Sequence, residues 1–145
     1  MFKKTSVILL YIFILSVSCR QESIDELFSR SAREYTDRYC PKPLDEIVTL
    51  DSVVYYPPTN QEKGRYAYFH NVKGNLSDIE ELKKHETEIF NELLSKINNT
   101  QDLKQIKDEG VTIQYTFYSK INKKIIFDFR FTNQIYKQRK NQRCP

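Results

Sequence analysis

Residues 111–132 read VTIQYTFYSKINKKIIFDFRFT, and they fix the architecture because apolar and polar side chains alternate along both halves of the stretch. Alternation with a period of two is typical of antiparallel strands that bury one face and expose the other to water. The most regular apolar positions are Ile125, Phe127, Phe129 and Phe131. The polar residues 120–124 predict a turn, so strands 111–119 and 125–132 are predicted to pair as a hairpin.

Two further strands are predicted upstream, over residues 46–56 and 65–72, because both segments are rich in β-branched and aromatic residues. Two prolines at 57–58 end the first strand, and a Gly-Asn pair at 74–75 follows the second. Simple alternation along the first strand predicts that one face carries Val48, Leu50, Val54 and Tyr56.

Two helices are predicted, over residues 23–39 and 77–97, from apolar side chains that recur at spacings of three and four. Each begins with a capping box, in which two side chains satisfy free backbone N–H groups at the helix start. The predicted capping pairs are Ser23 with Glu26 and Ser77 with Glu80. A short helical turn is predicted over residues 101–109, with Gly110 as the residue that ends it.

The predicted order is therefore α-β-β-α-β-β, and the fold class is α+β. Four strands and two main helices are expected to form a two-layer sandwich, with helices on one face of a four-stranded antiparallel sheet. This domain is assigned to residues 23–136, a length suited to a single core. Residues 137–145 are assigned to a basic tail that ends in Cys144 and Pro145.

The first 18 residues, MFKKTSVILLYIFILSVS, predict a secretory signal peptide. Lys3 and Lys4 precede an apolar run that is about half as long as the ~20 residues of a spanning helix. A buried core helix is the structural alternative. Export is favoured over it because the run is apolar on all sides and lies at the N-terminus behind two lysines.

Cys19 follows directly, and residues 15–19, LSVSC, resemble a bacterial lipobox of the relaxed type found in Bacteroidetes lipoproteins. The resemblance implies that Cys19 becomes the first mature residue and carries acyl chains such as palmitate, with residues 19–22 as a linker to the domain. It also implies a membrane-anchored protein of the cell envelope. The residue after the cysteine is Arg20, and in this respect the chain resembles lipoproteins that are sorted to the outer membrane. An ordinary cleavage at Ser18, with Cys19 as a leftover thiol, is the alternative.

Three cysteines occur in the chain, so one must stay unpaired if the protein is exported. Lipidation of Cys19 leaves Cys40 and Cys144 as a candidate disulfide in an oxidising compartment. In the loop-entropy description, closing a loop of about one hundred residues stabilises a domain by roughly 4–5 kcal/mol. The distance between the two cysteines decides whether this bond forms.

The composition argues against several classes of function. Removal of Lys3 and Lys4 with the leader leaves 21 basic residues against 19 acidic ones, a net charge of +2 that is too small to indicate nucleic acid as a partner. Three glycines in the whole chain leave little room for a glycine-rich phosphate loop. No cofactor is therefore predicted.

No catalytic or metal-binding residue is predicted. His70 and His85 are the only histidines, and they lie on different predicted elements without the spacing of a metal site. Asp51 and Asp128 lie on predicted strands and would serve as an acid–base pair only if they faced each other across a groove. Two carboxylates that point to water are the simpler interpretation.

A surface for a protein partner is predicted from the tyrosines of the strands. Tyrosines on the outer face of the sheet, away from the helices, would provide contact area at low entropic cost. Cross-strand pairing that only stiffens the sheet is the structural alternative. The candidate residues are Tyr56, Tyr66, Tyr68 and Tyr118.

The mature chain resembles a family of small exported bacterial proteins without an assigned activity. The resemblance covers residues 35–132, and a Thr-Leu-Asp-Ser-Val string at 49–53 is its best anchor. The other segments that carry it are Cys40-Pro41, Leu44-Asp45, Tyr66-Ala67-Tyr68 and residues 110–118. It implies the domain boundaries and the α+β order, and it implies no activity.

These features together predict a lipid-anchored envelope protein that works by binding, as an accessory module of an envelope assembly. An inhibitor or immunity-type protein acting on an exported toxin or hydrolase is the first alternative, and a small envelope enzyme is the second. The expected partners are the membrane, through the lipid, and a protein of the envelope. The sequence leaves the oligomeric state open.

Overall fold

The computed structural model describes residues 22–138 of the 145-residue chain. The predicted signal peptide, the predicted lipid site Cys19, the last residues of the predicted basic tail and Cys144 all lie outside this range.

The described chain contains five α-helices and five strands, separated by short loops. In chain order they are α1 (Ile24–Tyr39), β1 (Lys42–Pro43), β2 (Val48–Tyr56), β3 (Arg65–Val72), α2 (Leu76–Lys84), α3 (Glu86–Asn99), α4 (Lys104–Asp108), β4 (Thr112–Ser119), β5 (Ile125–Phe131) and α5 (Asn133–Gln138). A single 3₁₀ turn, Gln101–Leu103, joins α3 to α4. The α+β class is confirmed.

The sheet has five strands in the order β1-β2-β3-β4-β5, and β3 runs parallel to β4, whereas the other pairs are antiparallel. The prediction of four antiparallel strands is therefore wrong on two points. The strand β1 has only two residues, which are too few to show an alternation of apolar and polar side chains in the sequence. The central pair is parallel because three helices lie between β3 and β4, and such a crossover returns the chain to the end of the sheet from which it left.

A β-bulge changes the direction of the side chains halfway along β2. Leu50 pairs with His70 and Ser52 pairs with Phe69, so that Asp51 is an extra residue without a partner opposite it. After the bulge the alternation is shifted by one position, and Val53 and Tyr55 are the buried core residues. The prediction that Val54 and Tyr56 share a face with Leu50 is therefore wrong.

The helix starts follow the predictions in part. The capping box of Ser23 and Glu26 is present at the start of α1. The second capping box is formed by Asn75 and Asp78 instead of Ser77 and Glu80, and the predicted helix 77–97 is divided at His85. Gly110 has a φ of 72°, the left-handed conformation expected of a residue that ends a helical segment.

One hydrophobic core lies between the helices and one face of the sheet, which we call the inner face. Phe28 of α1 contacts Tyr55 and Tyr66 edge-on, with ring centroids 5.4 and 6.4 Å apart. Phe90 of α3 contacts Phe129 and Phe131 on β5, at 5.8 and 4.8 Å. The helices thus cover the inner face of the sheet near both of its edges.

Candidate partner-binding surface

A cluster of tyrosines lies on the inner face of the sheet, as part of the hydrophobic core or packed against it. Helix α1 packs on β2 and helix α3 packs on β5, so the two helices stand near opposite edges and the central strands lie between them. Two tyrosines occupy neighbouring positions on these central strands: Tyr68 on β3 and Tyr115 on β4 have nearly parallel rings with centroids 4.9 Å apart. Tyr66 follows on β3, and its ring centroid is 5.6 Å from that of Tyr68.

We call this cluster, which lies between α1 and α3, the tyrosine cleft and define it by Tyr66, Tyr68, Tyr115 and the half-buried Tyr35 of α1. Tyr66 and Tyr115 are buried, whereas Tyr68 is only half-buried. Burial raises the pKa of Tyr115 to about 12 and raises the pKa of Tyr68 further, so both hydroxyls stay protonated at physiological pH.

The hydroxyl groups of the cleft differ in their partners. Burial raises the pKa of Tyr66, and a side-chain hydrogen bond with Ser31 of α1 offsets part of this effect. The pKa of Tyr68 is raised first by burial and then by the neighbouring tyrosine hydroxyls and Asp102. The half-buried Tyr68 combines an apolar ring with a polar hydroxyl, a combination suited to a protein segment as ligand.

His70 lies next to the cleft, and its chemistry is that of a core residue. It is 3% exposed, and its ring stacks on Phe117 with centroids 4.6 Å apart. Burial lowers the pKa of His70 to about 4, so the imidazole is neutral at physiological pH. Its Nδ1 has no hydrogen-bond partner among the described residues. Its ring is thus held in an aromatic stack with Phe117 and Tyr115, as a core residue is.

The structure separates the four tyrosines of the predicted partner surface into two pairs on opposite faces of the sheet. Tyr66 and Tyr68 lie in the cleft, whereas Tyr56 and Tyr118 lie on the other face, which we call the outer face. Tyr56 is directed outward because of the bulge at Asp51, and the guanidinium of Arg65 lies 4.6 Å from its ring centroid. Simple alternation places Tyr56 on the wrong face, because the bulge shifts the period of β2.

The two strand carboxylates do not meet. Asp128 lies on β5 and Asp51 on β2, with β3 and β4 between them, so about 14 Å separate the two strands at ~4.8 Å per step. Asp51 accepts a hydrogen bond from Asn71, and Asp128 accepts hydrogen bonds from its neighbours on β4 and β5. This arrangement supplies no acid–base pair.

Asp128 is held as an anion by its partners on the outer face. The side chains of Gln114 and Thr116 donate to one carboxylate oxygen, and Arg130 donates to the other at 3.2 Å. Burial alone would raise the pKa of Asp128, but the two hydrogen bonds and the guanidinium outweigh it and lower the pKa below its usual value.

No group of three potential metal ligands occurs among residues 22–138. His85 lies at the junction of α2 and α3, where its Nδ1 is 2.8 Å from the carboxylate of Glu88. Cys40 is half-buried at the end of α1, and burial raises the pKa of its thiol. It forms no disulfide within the described range, and its proposed partner Cys144 lies outside that range, so the bond stays a prediction.

In the part of the chain that the structure describes, no helix combines the length and the apolar character needed to cross a membrane.

Sequence comparison gives one match. The model of a family described as a domain of unknown function (DUF8479) matches residues 23–127. This range contains every segment on which the resemblance to small exported proteins was drawn. No curated protein matches the chain significantly.

Two solved structures share the fold. A putative secreted protein from Pseudomonas aeruginosa is similar with a TM-score of 0.64 at 14% sequence identity, over 77% of this chain and 91% of that protein. The pilotin of the Vibrio vulnificus type 2 secretion system is similar with a TM-score of 0.54 at 9% identity, over 77% of this chain and 90% of the pilotin. At these identities the likeness concerns the fold.

Proposed function

The chain belongs to the DUF8479 family, and we propose that it is an exported, lipid-anchored accessory protein of the cell envelope that acts by binding a protein partner. The observation that carries this proposal is the shared fold with a secretion-system pilotin, which extends over 90% of the pilotin's length. The similar fold of the Pseudomonas protein, whose name describes it as secreted, supports the exported location.

The features of the N-terminus support the anchor. A positive start, an apolar run of signal-peptide length and a cysteine at position 19 are what an exported lipoprotein requires. Acyl chains contribute about 0.8 kcal/mol per buried methylene, so several of them on Cys19 hold the protein on a membrane. The outer membrane is the proposed location.

The tyrosine cleft is the proposed binding site. Partner surfaces are enriched in aromatic side chains that are accessible yet held in place by their neighbours. Tyr68 meets this description because Tyr115 stacks on one side of its ring and Tyr66 contacts it from the same strand. A partner segment that brings apolar side chains would bury the part of the Tyr68 ring that is still exposed.

A co-isolation experiment tests the proposal. The full-length protein with a C-terminal tag is isolated from detergent-solubilised membranes of its own cells, and bound proteins are identified by mass spectrometry. We expect a stoichiometric envelope protein with the native chain, and at least a tenfold loss of it with Tyr68→Ala. Tyr56→Ala, a tyrosine on the outer face, is the matched control and should retain the partner.

Two results would contradict the proposal. Equal recovery of the partner with Tyr68→Ala, in a variant that melts cooperatively, would exclude the cleft as the binding site. Membrane retention of a Cys19→Ala variant equal to that of the native chain would exclude the lipid anchor.

A further inference from the structure

The two edges of the sheet differ in whether another part of the chain covers their backbone groups. The edge at β2 is covered, and we call it the closed edge. The short strand β1 covers its first half by pairing with Thr49 and Leu50. Beyond the bulge, Thr36 of α1 takes the place of a neighbouring strand: its hydroxyl accepts the N–H of Val53 at 2.8 Å and donates to the carbonyl of Val53 at 2.9 Å. Covering an edge in this way prevents pairing with another chain.

The opposite edge, formed by β5, has no such cover among the described strands, since β5 is the last strand in the sheet order. The direction of its backbone groups follows from β4. Thr112 and Lys120 donate their N–H groups toward β3, whereas Ser119 donates toward β5. Odd-numbered residues of β4 therefore bond to β5, and their partners there are Phe127, Phe129 and Phe131. It follows that Asp128 and Arg130 direct their N–H and C=O groups away from the sheet.

The side chains of these same two residues have opposite charges. Asp128 and Arg130 point to the outer face, where the Nε of Arg130 lies 3.2 Å from the Asp128 carboxylate, and their side chains are 29% and 51% exposed. The terminal nitrogens of the guanidinium stay available for a second carboxylate. Ile125 at the start of the same strand is 65% exposed.

We propose that the β5 edge binds the β5 edge of a second copy of this chain, antiparallel and with Phe129 opposite its own copy. In this register Asp128 lies opposite the partner subunit's Arg130, and Arg130 lies opposite the partner subunit's Asp128. Both residues direct their backbone groups outward, so each such pair exchanges both backbone hydrogen bonds. The two sheets then form one continuous sheet of ten strands.

The charge pattern selects this register and favours a second copy over an unrelated strand. A shift that centres the pair on Asp128 would place two carboxylates opposite each other, which is destabilising. In the proposed register both symmetry-related pairs are attractive, and the exposed Ile125 of each copy lies beside the start of α5 of the other. A strand from another protein would match this edge only if it placed a basic residue opposite Asp128 and an acidic residue opposite Arg130.

The test uses full-length protein with its signal sequence, expressed in one cell as two copies with different tags and solubilised in detergent. We expect the native copies to co-isolate. Asp128→Arg creates two repulsive Arg–Arg pairs and Arg130→Asp creates two Asp–Asp pairs, so each variant should lose co-isolation with itself about tenfold. Co-expression of Asp128→Arg with Arg130→Asp restores both attractive pairs and should restore co-isolation.

The recovery in the mixed pair shows that each variant is folded and that the contact is direct. Lys42→Glu, a charge reversal on the closed edge at β1, is the matched control and should leave co-isolation unchanged. Native copies that do not co-isolate would overturn the proposal. Single variants that associate as well as the native chain, or a mixed pair that stays apart, would also overturn it, and a different protein captured through β5 would point to that protein as the occupant.

Discussion

The inner and outer faces of the sheet are made by alternate residues of the same strands, yet they are stabilised by different interactions. The inner face carries aromatic rings that pack under the helices, as Phe131 does at 0% exposure. The outer face of β4 carries the buried polar side chains of Thr112, Gln114 and Thr116. Two of these donate to Asp128. The difference teaches that burial alone does not identify a hydrophobic core, because polar groups are buried at little cost when they are hydrogen-bonded.

The largest effect is expected from a truncation on the inner face. Phe131→Ala removes a fully buried ring that contacts Phe90 of α3, and it should lower the free energy of unfolding by about 3–5 kcal/mol. The matched truncation on the outer face, Phe69→Ala, removes a half-buried ring and should cost less than half as much. Urea denaturation measures both. Equal losses would show that the two faces contribute alike.

The second prediction concerns His70, a titratable group within the aromatic inner face. Its folded-state pKa of about 4 lies below the ordinary value of 6.5, so the unfolded chain binds the proton first as the pH falls. The stability associated with neutral His70 is complete above pH 6.5 and is lost as the pH falls from 6.5 toward 4. The loss should reach about 3 kcal/mol at a shift of this size.

Substitution with an uncharged ring separates this effect from the titration of carboxylates. His70→Phe keeps a ring to stack on Phe117 and should remove most of the decline between pH 6.5 and 4, measured by denaturation at several pH values. The exposed Asn91 of α3, which does not titrate, serves as the control: Asn91→Ala should leave the pH profile as it is in the native chain. An unchanged decline in His70→Phe would exclude His70 as its source.

The smallest effect is expected on the outer face. Asp128→Ala leaves the buried donors of Gln114 and Thr116 without their acceptor, which should cost about 1–2 kcal/mol. Glu92→Ala, at an exposed position on α3, should change the stability by no more than about 0.5 kcal/mol. If the two truncations had equal effects in thermal melts, the polar network would not stabilise the outer face.

The sequence predicted correctly those elements that depend on interactions between residues close together in the chain. The capping box of Ser23 and Glu26 lies within one helical turn, and the alternation in residues 125–131 lies within one strand, so both were predictable. The helix break at His85 and the use of Asn75 as the cap were missed. Capping pairs compete when Asn, Ser, Asp and Glu follow one another closely, and the pair that fits the entering chain is selected by the fold.

The tyrosine cleft was predictable only in part. Aromatic residues on the strands indicated a candidate surface, and Tyr66 and Tyr68 share a face because they are two residues apart. Tyr115 belongs to the cleft through the parallel pairing of β3 with β4, which joins residues 47 positions apart and leaves no local periodic signal. Tyr56 is excluded from it by the bulge.

The sequence by itself determined most of the strand and helix segments, because hydrophobic period and capping are encoded in neighbouring residues. Only the tertiary structure decided the parallel central pair, the extra strand Lys42–Pro43 and the outward direction of Tyr56. These depend on which distant strand lies alongside and in which register. That choice is made by the packing of the whole core, through contacts that have no repeat along the chain.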